Sequence, residues 1–479
     1  MNTDAPWPDA GEAKARVLRI QTKLHQWAID GPDRRFNDLY NLIHDPAVLV
    51  EAWRRVRSNR GARTAGVDGA TAHYITAVRG EQVFLCELQE DLKSRRFQPA
   101  PVREAMIPKP GGRRRRLGIA TVRDRVVQAA LKLVLEPIYE ADFKPSSYGF
   151  RPRRRAHDAV AEIHHLCSHS YEWVLEGDIE ACFDNISYSA LLMRMRDRIG
   201  DKRVLGLVKA FLKAGILVEG GELRDTDTGA PQGGILSPLL SNIALSVLDE
   251  HFADAWEAMG TATARAWRRR KGLANYRLVR YADDWVVLVA GDRNDAERLR
   301  DEVAGILLPM GLRLSELKTV ITHIDRGFDF LGVRIQRRKK RGSAKRFVYT
   351  YPSRAALAAV KDRVRRISRE VPTNEPLTTL LRRLNPALRG WTNYHRHGVS
   401  KATFQYLCAF AWHRVMRWLR RKHPKANWSE LRRRYLPDWW PTEDEMRLYN
   451  PATVSVTRYR YRGKRLPSPW ASTLQEPIA

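Results

Sequence analysis

Long apolar runs are missing from this 479-residue chain: no stretch approaches the roughly 18 apolar residues of a membrane span, and no signal-like segment follows Met1. A soluble, intracellular protein with no membrane partner is the expectation. Cysteine is scarce. Cys86, Cys167, Cys182 and Cys408 lie far apart with no C-x-x-C pair, which argues against a zinc knuckle or a disulfide framework and for reduced structural thiols. The 13 histidines include His164-His165 and His395/His397 but no H-E-x-x-H or comparable ligand spacing. No repeat period or low-complexity tract is visible. Acidic residues are in deficit, 54 against 84 Lys+Arg, and the formal charge of +30 exceeds what solubility requires. Such an excess points to a polyanionic partner, nucleic acid first.

What is there divides the chain. Its length implies roughly two to four domains. Residues 12–57 carry helical periodicity, and SNRGARTAGVDG (58–69) breaks it. A helix over 81–96 precedes REAMIPKPGGRRRRLGIA (103–120), which reads as strand, Pro/Gly turn and strand with four consecutive arginines at the tip. Those arginines are either a solvated charge run or a finger that grips phosphates. Helices are predicted over 121–140, stopping near Pro137, and over 189–215. A third begins at Ser237-Pro238. Tyr171 to Asp178 is strand-like, as are 311–324 in part and 328–336, and 337–346 reads as a basic loop. From 353 the strand signals give way to basic, tryptophan-bearing helices.

The chemistry concentrates in YRLVRYADDWVVLVA (276–290), two β-prone runs separated by Ala282-Asp283-Asp284. Adjacent carboxylates among Val, Leu and Trp belong at a turn, because an unpaired buried charge costs several kcal/mol. There they form either an ordinary Asp-rich turn or a hard oxygen site suited to Mg²⁺. Two-metal phosphoryl transfer needs carboxylates from separate strands around ions about 4 Å apart. Asp178 ends one strand and Asp283 tips a hairpin 105 residues later (283 − 178). In this reading Asp178 bridges both ions beside the Ile179 carbonyl, Asp283 completes the pair, and Asp284 is a weaker ligand or a support. Asp184 is the alternative to Asp178.

The order of motifs resembles the reverse transcriptases of group II introns, from about residue 55 onward. The resemblance rests on IPKPGG-R-R-LGI (107–119), TVRDRVVQAALKLVLEPIYEADF (121–143), SSYGFRP (146–152), GDI-x-x-x-FDNI (177–186), PQGGILSPLLSNI (231–243) and RYADD (280–284). GL-x-L-x-x-x-KT (311–319), FLG (330–332) and LNPALRGWTNYHR (384–396) complete it. It implies that Asp178, Asp283 and Asp284 form the metal centre and that Phe183 is the aromatic wall excluding a 2′-OH. It implies further that Gln232 touches the nucleotide, with Gly233 and Gly234 admitting the backbone. Lys109 and Arg115 would neutralise the triphosphate, although Arg113, Arg114 and Arg116 leave the register open. Lys318 matches a lysine near the floor of the site or is an ordinary surface lysine.

The implied fold is α+β, a right-hand polymerase with an antiparallel palm sheet, a helical thumb (domain X) and a small basic C-terminal module. Its expected divisions are a helical extension (1–57), fingers and palm (58–345), thumb and maturase domain (353–425) and a DNA-binding-like region (426–479). In the last, YRYRGK (459–464) suits stacking on bases or is a solvated tail. Arg389, Trp391, Asn393 and Tyr394 are expected to be structural. The implied activity is RNA-directed DNA polymerisation with two Mg²⁺, Mn²⁺ substituting. Implied partners are a group II intron RNA, an RNA-template/DNA-primer duplex, target DNA and dNTPs, with maturase and retrohoming roles in the bacterial nucleoid and cytoplasm. No Cys/His-rich endonuclease cluster occurs, so mobility would borrow a nick or a replication-fork primer. Alternatives are a host role, in phage defence, CRISPR spacer acquisition or DNA repair, and a splicing cofactor whose polymerase is idle.

Overall fold

Asp9 opens the first long helix, Ala10–Asp30, with a reciprocal cap in which its carboxylate accepts from the backbone of Glu12 while Glu12 reaches back to the Asp9 amide. The computed structural model describes residues 7–108, 114–218, 222–224, 233–463, 466 and 468–470. The fold is α+β, with mainly antiparallel sheets among many helices. It comprises two compact units, the first made of 1–155, 175–320 and 464–479 and the second of 156–174 and 321–463.

In the first unit Ala10–Asp30 packs with Pro46–Ser58 and Val122–Asp142. Val17, Leu24, Leu49, Trp53, Val127 and Leu131 are buried there. The helix expected to stop near Pro137 runs through it to Asp142. A proline at 137 has no amide hydrogen for the Leu133 carbonyl, one turn back. The buried Gln21 side chain donates to that carbonyl instead, at 2.8 Å, so the helix loses a backbone bond without leaving an acceptor orphaned. The helix expected over 189–215 is broken into Tyr188–Arg198 and Lys202–Leu212. The cause is Gly200, whose amide donates to the Phe36 carbonyl at 2.9 Å and whose missing Cβ would lie 1.8 Å from the Asn37 side chain.

Strands β1 (Val102–Pro108) and β2 (Arg114–Ile119) pair antiparallel, and β4 (Ile216–Leu217) and β5 (Leu223–Arg224) extend that sheet in the order β2-β1-β4-β5. A second sheet has the order β6-β7-β3-β8, from β3 (Trp173–Gly177), β6 (Asn275–Tyr281), β7 (Asp284–Ala290) and β8 (Val320–His323). The chain passes between the units within β3 and again at the head of β8.

The second unit holds the antiparallel sheet β9 (Phe328–Phe330), β10 (Val333–Lys339) and β11 (Arg346–Pro352). The expected basic loop is confined to 340–345, its edges 337–339 and 346 being strand because RFVYTYP pairs along the whole of β10. Helices Arg354–Glu370, Leu377–His395 and Lys401–Lys422 share a core of Val364, Leu380, Leu384, Leu407, Val415 and Trp418. Trp391 packs on that core and donates to the Ala356 carbonyl at 3.3 Å, a structural role. Tyr459 and Tyr461, expected on bases or in solvent, stack on His157 (centroids 5.4 Å) and His165 (4.5 Å), while Arg462 pairs with buried Asp158 at 2.7 Å. No helix among the described residues is long and apolar enough to cross a membrane, and all four cysteines are free.

Gln21→Ala should cost about 1–3 kcal/mol in urea unfolding by stranding the Leu133 carbonyl. Adding Pro137→Ala, which restores the amide donor, should recover most of that loss.

Candidate active site

A two-residue turn joins β6 to β7: Tyr281 pairs with Asp284, leaving Ala282 and Asp283 at the tip. Ala282 has φ of +57°, a conformation that costs an L-residue energy unless its surroundings impose it. The imposing group is Arg280, a guanidinium with 0% exposure in the strand just before the turn. It donates to the Ala282 carbonyl (3.0 Å), the Asn242 side chain (2.9 Å) and the Ser147 hydroxyl (2.9 Å), and it forms a bidentate pair with the equally buried Asp249. Ser147 lies in the loop after Val122–Asp142. That loop is fixed by Arg151, which pairs with Glu140 at 2.7 Å and donates to the Lys144 and Ser147 carbonyls. The same loop joins the edge of β6, where the Tyr148 amide donates to the Arg280 carbonyl at 2.8 Å.

Two glycines admit close approach. A Cβ at Gly149 would lie 2.2 Å from the Ala282 amide, and one at Gly177 would lie 1.8 Å from the Trp285 ring. Gly177 ends β3, and Asp178 follows it. The Asp178 carbonyl accepts from Ser315 at 2.8 Å and the Glu180 amide donates to Arg313 at 2.9 Å, so 313–315 splints the backbone on either side of the buried Ile179. Lys318, one turn along, places its ammonium 2.7 Å from the Asp178 carboxylate.

One of the expected carboxylates, Asp284, feels the other two. Asp284 has its carboxyl pushed up to about 6, first by desolvation and then by the negative charges of Asp283 and Asp178. The Cys182 thiol is pushed up to about 12, by burial first, with Asp283, Asp184 and Asp178 adding to it. Asp184, the alternative ligand, is thus part of the same negative field. Phe183 is half-buried on the short Cys182–Asn185 helix, which follows Ala181 at φ +43°. Arg115 lies in β2 opposite Ile107, and strand alternation puts it on the other face from Arg114 and Arg116, the latter 3.6 Å from Glu104. Lys109, Arg113 and Gln232 fall outside the described residues. Gly233, at φ +107°, sits with its absent Cβ 3.1 Å from the Gly118 carbonyl.

Among the described residues no three His, Cys, Asp or Glu side chains form a ready-made metal cage. The donor set nevertheless suits a hard divalent cation. It consists of carboxylate oxygens under mutual repulsion, and a lysine ammonium already neutralises one of them.

Residues 107–335 match the reverse transcriptase (RNA-dependent DNA polymerase) family, and residues 357–436 match the group II intron maturase-specific domain. Protein YkfC of Escherichia coli is 37% identical over 362 residues, covering 71% of this chain and 93% of YkfC. The chain belongs to the group II intron reverse transcriptases. The group II intron-encoded protein LtrA of Lactococcus lactis is 31% identical over 376 residues, which span 69% of this chain and 61% of LtrA. Nuclear intron maturase 1 of Arabidopsis thaliana is 25% identical over 293 residues, 45% of this chain. The reverse transcriptase domain carries RNA-directed DNA polymerase activity, and the family depends on divalent metal.

Sequence reasoning missed Arg280, Asp249 and Asn242, the framework beneath the turn. The available signal was an arginine directly following the apolar Leu278-Val279 and next to the turn, where burial demands an anion.

Gly149→Ala should distort the Ala282 turn and destabilise the protein by about 1–3 kcal/mol. Gly206→Ala is the control, because Gly206 lies inside the Lys202–Leu212 helix with nothing within 4 Å of the added carbon. It should raise stability by about 0.5–1 kcal/mol in the same unfolding assay.

Proposed function

We propose that this protein is an RNA-directed DNA polymerase of a group II intron that also binds the intron RNA and assists its splicing and mobility. The polymerase part is supported by Lys318 lying 2.7 Å from Asp178 and by Asp284 being raised, after burial, by the charges of its neighbour Asp283 and of Asp178 from a second segment. In this reading β1 and β2 belong to the fingers, the β6-β7-β3-β8 sheet is the palm, and the helices between Arg354 and Lys422 are the thumb. The region 426–479 is the DNA-binding part.

Asp178 and Asp283, with the Ile179 carbonyl and Asp284 beside them, would hold the two Mg²⁺ (or Mn²⁺), which when bound supply Lewis-acid activation of a primer 3′-OH and neutralise phosphate charge. The remaining work is positioning. Phe183 presents its ring where a 2′-OH would clash, selecting dNTPs. Lys109 and Arg115 hold the triphosphate as charge builds on the leaving pyrophosphate. Gln232 contacts the nucleotide, and Gly233 lets the backbone come close. Lys318 counters the Asp178 charge before the site is loaded, so the carboxylates can stay together in the free enzyme. The partners are the intron RNA, the RNA-template/DNA-primer duplex, target DNA and dNTPs. Splicing assistance is supported by the match of residues 357–436 to the maturase-specific domain.

Asp178→Asn and Asp283→Asn should each reduce primer extension on an RNA template by at least about a thousandfold, because catalysis rests on charge neutralisation. RNA affinity measured by filter binding should stay within about twofold, since no phosphate contact is removed. Normal extension by Asp283→Asn would refute the site. Phe183→Val should raise rNTP incorporation relative to dNTP by tenfold or more, about 1.4 kcal/mol of lost discrimination, read by competition in the same assay.

A further inference from the structure

The second unit carries a concentration of positive charge that the polymerase site does not use. Arg414, Arg417 and Arg421 fall three and four positions apart on the Lys401–Lys422 helix, so they share one face. With Arg420, and with Arg369 from the neighbouring Arg354–Glu370 helix, they line a concavity of about 400 Å³ that no other side chain among the described residues lines. Acidic residues nearby are engaged elsewhere: Asp362 pairs with Arg365 at 2.5 Å, and Glu370 pairs with Arg383 and Arg366. None of the five lining arginines has an ion-pair partner among the described residues.

The cluster is not there to hold the thumb together. Its one protein contact of note is Arg421 donating to the Ser368 carbonyl at 2.8 Å. Arg414 is half-buried, and its Nε is fully covered yet has no hydrogen-bond partner. Its guanidinium is pushed below the usual arginine range by burial first and then by Arg417, Arg369, Arg421 and Arg365. Five like charges in one hollow, with a covered donor left over, form a site that is complete only when anions fill it. Guanidinium forks match phosphate oxygens in pairs, and a hollow that gathers them suits phosphates drawn close together. A straight duplex offers its phosphates in extended rows, whereas the backbone of a folded RNA crowds them where it turns or where strands converge.

We propose that the Arg369/Arg414/Arg417/Arg420/Arg421 hollow is an anchor for closely spaced phosphates of a folded RNA, separate from the contacts that hold the template-primer duplex. The proposal rests on the RNA-binding part of the function above and names where that binding is seated.

The test compares the full-length protein with Arg414→Gln/Arg417→Gln and with Arg414→Lys/Arg417→Lys. The probes are RNA transcribed from the DNA flanking the reading frame and a short RNA/DNA hybrid. For the Gln pair, affinity for the folded RNA should fall at least about tenfold, and the slope of log affinity against log salt should flatten by about one to two, close to one per lost phosphate contact. Affinity for the hybrid and the primer-extension rate should be unchanged, and the melting temperature without RNA should be equal or higher, because repulsion is relieved. The Lys pair should keep most of the salt slope. Unaltered affinity for the folded RNA, an equal loss on the hybrid, or a lower melting temperature of the free protein would each overturn the proposal. A wild-type protein that extends no primer would defeat the polymerase reading and leave the RNA-binding comparison standing.

Discussion

A single buried ion pair, Arg280 with Asp249, is what the geometry of the hairpin depends on. Both side chains are fully buried, a placement that on its own is costly. It is tolerated because the guanidinium satisfies four groups at once, tying the Ala282 carbonyl at the turn to Asn242, Ser147 and Asp249. Arg280 therefore converts a strained backbone conformation into a fixed one. Arg151 and Glu140 repeat the device one layer further out and hold the loop that supplies Ser147. The acidic residues at the tip gain a rigid footing without contributing to it.

The same residue type serves two opposed ends in this chain. Arg16 with Asp45, Arg151 with Glu140 and Arg280 with Asp249 are struts, each with a buried carboxylate opposite. Arg369, Arg414, Arg417, Arg420 and Arg421 in the second unit line one hollow and have no ion-pair partner among the described residues. A net charge of +30 thus understates the local contrast, since some arginines are matched by buried carboxylates while others are gathered in a patch.

How much of this was legible follows from locality. The hairpin around Ala282-Asp283 was legible because two β-prone runs flank a polar turn, and the helix start at Ser237-Pro238 because its signal is contained in adjacent residues. The passage of Val122–Asp142 through Pro137 was not, because the remedy, Gln21, lies 112 positions from the Leu133 carbonyl it satisfies. The break at Gly200 was hidden for the same reason, being set by Asn37 and Phe36. Strand β11 escaped notice because its basic flank masked a β-prone run whose partner strand had been read as ending early. At the site, residue types and spacing suggested which carboxylates to examine. The side chains that orient them, Arg280, Asn242 and Ser147, lie in quoted motifs, but their meeting around Asp249 could be seen only in the fold.

The interrupted path of the chain has a consequence for dissecting the protein. Its two units are woven from five segments, with exchanges at 155/156, 174/175, 320/321 and 463/464. A cut near residue 350, where composition changes, would pass through β11, leaving 346–350 with β9 and β10 and the end of the strand on the other fragment. It would also separate His157 and His165 from Tyr459 and Tyr461. The helical core, from Val360 to Leu448, would stay whole on one fragment, but the sheet and the stacked rings that complete its unit would be divided, so a boundary drawn on the linear sequence is no place for scissors.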